Sequence, residues 1–282
     1  MITKHLRLLF AGAIILALHL PLSHTLWAQT AVSLDSEFGA RLSLTLDKKL
    51  ARGLHLAIEE EVRFDNNLAA FDRFHTTAAL SYKANDYLKF GIGYAIINPY
   101  SSAASAFKSC RHRLMLDVTG SLRFGQWRLS LKERLQATYR SGEMNQYQNP
   151  RTALTLKSRL KLQYKGMRRL EPYAGIELRH ALNAPLISAY YNGSSYLTED
   201  YHTEGEPGWF LESYSKKYIN RVRGTLGAEY RLGKHSSIDV ALLADYIMDY
   251  VVDANAEGTR LKTYTYETGL VGWLSVAYRY AF

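Results

Sequence analysis

Residues 111–140 read RHRLMLDVTGSLRFGQWRLSLKERLQATYR. In the first half Leu114, Leu116, Val118, Leu122 and Phe124 share one parity, and Arg111, Arg113, Asp117 and Arg123 the other. That is the two-residue period of a β-strand. If Gly125-Gln126 is a two-residue hairpin turn, the second half folds back so that Asp117 meets Arg134 and Leu122 meets Leu129. Opposite charges then pair on one face and leucines on the other, which favours antiparallel neighbours. Each arm is about 14 residues, long against the usual ~5–6 of a globular strand. A tilted strand that crosses a bilayer needs ~9–11.

The same alternation recurs along the chain. Segment 53–64, GLHLAIEEEVRF, puts Leu54, Leu56, Ile58, Val62 and Phe64 on one face and His55, Glu59, Glu61 and Arg63 on the other. Similar segments run roughly over 33–46, 71–83, 87–97, 152–164, 170–181, 217–231, 235–251 and 262–282. Tight connections at 83–86, 125–126, 165–169 and 232–234 alternate with longer ones at 98–110, 141–150, 182–216 and 252–261. Short turns on one side and long loops on the other are the pattern of an outer-membrane barrel. The expected fold is therefore all-β, an antiparallel up-and-down transmembrane β-barrel of about 10–12 strands. Ten strands from residue 53 onward close it with even parity. Residues 29–50 are then either a first strand or a plug in the lumen, and 182–216 is the longest extracellular loop, with a further strand hidden in it as the alternative to the plug.

In lipid only helices and closed barrels satisfy every backbone group, so the apolar faces must point outward and the charged faces inward. A turn near Met167 sets Lys157 opposite Glu177, and one near Gly233 sets Arg221 opposite Asp245. With Asp117 and Arg134, these make the expected lumen ion pairs. Glu60 and Glu133 break the rule by falling on the outward parity near mid-strand. A β-bulge that re-aims them, or contact with a partner chain, would resolve this.

Residues 1–28 read as a secretory signal: Lys4 and Arg7, then an apolar stretch from Leu8 to Leu20, Pro21, and a cleavage site after Ala28. The remainder, 29–282, is one exported domain. Its single cysteine, Cys110, allows no intramolecular disulfide. The chain is basic, with 35 Lys and Arg against 26 Asp and Glu, but export and the lack of a Lys/Arg block argue against nucleic acid. The expected place is the outer membrane, as a monomer. On the last strand Tyr264, Tyr266, Tyr278, Tyr280 and Phe282 share the outward face. At ~3.3 Å per residue and a tilt of ~40°, Tyr266 and Tyr278 lie roughly 30 Å apart, a spacing for two aromatic girdles.

The stretches 63–94, 111–140 and EPYAGIELRH at 171–180 resemble an outer-membrane family known as domain of unknown function 2490, and the likeness extends over most of 34–282. The resemblance implies an outer-membrane barrel of Gram-negative type and brings no activity or functional residues. Phe282 also resembles the C-terminal signal by which such proteins reach the barrel-assembly machinery, an expected partner beside membrane lipid.

No catalytic or cofactor motif stands out. GIG at 91–93 lies inside a strand with no helix after it, so packing accounts for it. Asp200, His202 and Glu204, in TEDYHTEGE, are candidate ligands for a divalent cation, weighed against a solvated acidic loop. Three functions remain open: a narrow pore or structural or binding barrel with no cofactor; a barrel enzyme acting on lipid or peptide with residues at its outer rim; and a soluble exported barrel with an apolar interior for a small ligand.

Overall fold

In a computed structural model of the chain, residues 32–33, 36–189, 209–258 and 261–282 are described. The expected signal segment and the cation candidates Asp200, His202 and Glu204 lie outside them. The strands in chain order are β1 (Val32–Ser33), β2 (Glu37–Ala51), β3 (Leu54–Asp65), β4 (Ala70–Lys83) and β5 (Leu88–Ser101). Then come β6 (Ala106–Phe107), β7 (Arg111–Phe124), β8 (Trp127–Arg140) and β9 (Thr152–Tyr164). The last four, β10 (Leu170–Ala189), β11 (Trp209–Arg231), β12 (Ser236–Ala254) and β13 (Leu261–Ala281), are the longest. Eleven long strands pair in sequence order and close into one barrel, β13 pairing with β2.

Patterning sets the two faces. Leu42, Leu44, Leu46, Ile58, Leu114, Leu116, Leu135, Ile176, Leu226 and Leu242 are exposed, whereas Arg41, His75, Gln136 and Asp245 are buried. A soluble barrel with an apolar interior is therefore not what forms. The hairpin at Gly125-Gln126 is as expected, with Asp117 opposite Arg134, Leu122 opposite Leu129 and Gly125 at φ 58°.

The closure departs from the ten-strand, even-parity expectation. β2 enters between β3 and β13, antiparallel to the first and parallel to the second, with Glu37 opposite Val271 and Ala281 opposite Asp47. The segment is the first strand, not a plug. Its outward Phe38, Leu42, Leu44 and Leu46 suit the apolar exterior, and pairing both its edges satisfies its backbone. A parallel ladder is only slightly weaker per residue, so parity yields to satisfaction. β1 continues the same seam, with Val32 opposite Glu267.

Gly39 makes that seam possible. A Cβ there would run into the Trp273 indole and lie 2.6 Å from the Phe64 carbonyl oxygen. Gly39→Val is expected to cost about 1–3 kcal/mol by overpacking, read as a lower urea midpoint of the folded barrel. An unchanged midpoint would mean that the seam is loose at this level.

The span 182–216, expected as loop, is in part strand. β10 runs to Ala189 and β11 begins at Trp209, with register shifts between Arg179/His180, Ala181/Ala184, Ala184/Leu186 and Leu186/Ile187. These bulges interrupt the strict alternation, which is why the pattern was lost there.

Candidate functional site: the charged interior

The interior is held by ion pairs between neighbouring strands. Arg134 from β8 grips Asp117 from β7 through Nε at 2.6 Å and Nη2 at 2.7 Å, and Lys132 reaches the same carboxylate at 2.8 Å. This bidentate geometry is the strong form of the contact. Asp245 on β12 is the busiest anion. It accepts from Arg223 at 2.5 and 2.7 Å and from Arg221 at 3.2 Å, and Arg41 lies 3.8 Å away. On the far wall Glu61 takes Arg63 at 2.6 Å and faces His75 at 3.4 Å.

Two expected registers shift. Lys157 stands opposite Arg179, and Glu177 opposite Arg159. Arg221 stands opposite Ile247, and Asp245 opposite Arg223. Each turn closes one residue later than expected; the second is a four-residue turn in which Leu232 and Gly233 both donate to the Ser236 carbonyl at 3.0 and 3.2 Å. The partner changes by two residues, so every side chain keeps its face and alternation cannot detect the slip. Arg221 still reaches Asp245 diagonally, whereas Lys157 forms no ion pair with Glu177, which is engaged by Arg223 at 3.8 Å. Arg179, absent from the expected lumen ion pairs, shares the parity of Glu177; that parity was the signal that could have found it.

Glu60 and Glu133 sit in uninterrupted ladders, Glu60 between Leu44 and Thr76 and Glu133 between Val118 and Ser158, so no bulge re-aims them. A hydroxyl answers each carboxylate instead: Thr76 donates to Glu60 at 2.9 Å and Ser158 to Glu133 at 2.6 Å. The other Glu133 oxygen is buried without a partner. A charge on the outward face of a barrel in lipid is costly. Glu133→Leu should therefore raise unfolding stability by about 1–2 kcal/mol; a loss instead would point to a partner chain on that face.

Tyr264 is not exposed. It is buried in a cluster with Ile187, Trp209, Val252, Ala254 and Leu261 at the long-loop end. Its ladder stays in register, with Val252 opposite Tyr264 and Tyr250 opposite Tyr266, so the packing and not a register shift buries it. The Lys216 ammonium lies 3.1 Å from the Tyr250 ring centre and 2.5 Å from the Tyr264 hydroxyl. Tyr278, Tyr280 and Phe282 are exposed at the short-turn end.

The connection between β8 and β9 packs against this cluster. Asn145 Nδ2 donates to the Ala254 carbonyl at 2.6 Å and the Tyr214 hydroxyl to the Gln146 carbonyl at 2.8 Å. The Tyr147 ring meets Trp209 edge-on at 5.2 Å. Phe210 is exposed and Trp209 buried, so Trp209 is on the inner face and the loop lies over the interior. Nothing local in the sequence reveals this contact, which joins residues far apart in the chain, 109 for Asn145 and Ala254 and 68 for Gln146 and Tyr214.

Below it lie two cavities of about 330 and 270 Å³, which share Glu61, Arg159 and Arg223 as walls. A third, of about 260 Å³, opens among Asp47, His55, Lys89, Arg128 and Arg279. Among the described residues no group of three or more His, Cys, Asp or Glu side chains could hold a metal ion.

The family described as "Protein of unknown function (DUF2490)" matches residues 38–195, a shorter span than the resemblance suggested. No curated protein matches the sequence. Among solved structures, the outer-membrane expressed OmpT of Vibrio cholerae is 8% identical with a TM-score of 0.35, over 80% of this chain. The chain spans 64% of the length of that protein. The NanC porin is 11% identical with a TM-score of 0.41, over 86% of this chain and 97% of its own.

Proposed function

The chain belongs to the DUF2490 family of proteins of unknown function, and from that premise we propose that it is an integral outer-membrane β-barrel which passes small solutes through a narrow charged interior. Residues 1–28 direct export, and the strand ending in Phe282 engages the barrel-assembly machinery. The observation that carries the reading is the inversion of the two faces. Large apolar side chains cover the outside of a closed barrel while Arg41, Asp47 and Asp245 are buried within. Water gives no reason for that arrangement; lipid outside and solvent inside do.

Exposed aromatics support it. Tyr82, Trp127, Tyr230, Tyr278, Tyr280 and Phe282 gather at the short-turn end, and Tyr139 is exposed near the other end of β8. Trp127 and Tyr139 share the outward parity. At ~3.3 Å per residue and a tilt of ~40° they stand roughly 30 Å apart, the thickness of a bilayer core.

Two measurements test the reading. The folded protein should need detergent and migrate faster on a gel before boiling than after; a folded monomer in detergent-free buffer would sink the membrane reading. In planar bilayers it should give small discrete conductances, and silence from folded, inserted protein would sink the passage. The loop at Asn145–Tyr147 favours a second reading, a structural or binding barrel shut at its outer end, for which silence is the expected result.

A further inference from the structure

The register that separates Lys157 from Glu177 has a consequence for the interior. Arg134, Lys157, Arg179 and Arg221 are directly opposite one another on β8, β9, β10 and β11. Like charges facing across strands are destabilising, and here four follow in a row. The outer two have carboxylates, Asp117 and Asp245. Lys157 and Arg179, between them, form no ion pair with any carboxylate of the described residues, and Arg179 Nε is buried with no hydrogen-bond partner.

Arg134 and Lys157 of this row line the larger cavity, about 330 Å³, together with Arg113, whose Nε donates to the Thr138 hydroxyl and which forms no ion pair with a carboxylate of the described residues. Its lining carries seven Arg and Lys against four Asp and Glu. Its opposite wall is stripped of bulk: Ala57, Ala79 and Gly93 are directly opposite one another on β3, β4 and β5. A cationic wall facing a smooth one, in a space worth about eleven waters at ~30 Å³ each, is a receptacle for a compact anion. Rings of Arg and Lys are how pores select anions.

We infer that this chamber is a binding site for a compact oxyanion, carboxylate or phosphate, held by Lys157 and Arg113 with Arg134 beside them. The inference deepens the passage reading and rests on the same charged interior. An anion there supplies the countercharge that the protein omits, and each charge-assisted bond it makes is of the strong kind.

The experiment is calorimetric titration of citrate, and separately of inorganic phosphate, into the full-length folded barrel in neutral detergent. Saturable binding of one or both is expected, and which of them binds identifies the source of the oxyanion. Binding should weaken about tenfold or more in Lys157→Gln/Arg113→Gln, the loss of charge-assisted bonds. Lys108→Gln, on the exposed connection after β6, should bind as the parent does. Ala79→Glu keeps every cation and places a carboxylate in the chamber, so it should weaken binding too. The inference is overturned if neither anion binds, or if binding survives both Lys157→Gln/Arg113→Gln and Ala79→Glu. Bilayer recordings separate this from the passage reading. Citrate binding without conductance sinks the passage and leaves the site, whereas cation-selective channels that ignore citrate sink the site and leave the passage.

Discussion

Asp245→Asn is expected to lower the unfolding free energy of the barrel by about 3–5 kcal/mol, the cost of leaving buried charges without their partner. The Asp245 side chain is 1% exposed, and Arg41, Arg223 and Arg221 converge on it at 7, 11 and 24% exposure. Asparagine keeps the shape and one acceptor but removes the charge that holds three guanidinium groups together. Arg223 retains Glu177 at 3.8 Å, so the lower part of that range is the more natural outcome. Lys157→Gln makes the contrast: it removes a cation from a row of cations and should leave stability unchanged or raise it. Urea unfolding in detergent micelles, followed by tryptophan fluorescence, reads both. Equal midpoints for Asp245→Asn and the parent would mean that the arginines are solvated well enough not to need the hub.

The contrast between Asp245 and Lys157 also marks how far the sequence could be read. Faces were legible, because period two assigns each residue to an inner or outer surface whatever its partner. The register of β7 and β8 was legible as well, because Gly125-Gln126 admits only one short turn. At 165–169 and 232–235 the loops are longer and close a residue later than their midpoints suggest. That slip left Lys157 and Glu177 on the inner face but not opposite each other, and it created the cation row. The placement of β2 was undecidable from pattern alone. An eleventh amphipathic strand violates even parity, and only its simultaneous pairing with β3 and β13 shows that a parallel seam resolves the conflict. Tyr264 was misplaced for another reason: it stays in register opposite Val252, and its burial comes from packing with Ile187 and Trp209, residues distant in sequence that alternation does not report.

Releasing the connection between β8 and β9 should open the outer end. Its base is tied, with Arg140 donating to the Pro150 carbonyl at 2.8 Å and Arg151 to the Arg140 carbonyl at 3.2 Å. Its tip is held by Asn145, Gln146 and Tyr147 against Ala254, Tyr214 and Trp209. Asn145→Ala/Tyr147→Ala/Tyr214→Phe keeps the base and cuts the tip contacts. Two hydrogen bonds and a ring contact hold the tip, each worth about 0.5–1.5 kcal/mol net. The triple variant should shift the loop from mostly docked to mostly free. Limited proteolysis then cuts within 141–151, where the parent resists, because cleavage follows the population of the open form. In planar bilayers the same variant should conduct several-fold more than the parent, since the loop lies over the interior through which solutes would pass. Cutting without added conductance would place the constriction lower, among Glu61, Arg159 and Arg223 where the two inner cavities meet. No cutting at all would show that the loop is held by its tied base, and that the tip contacts are incidental to the closure.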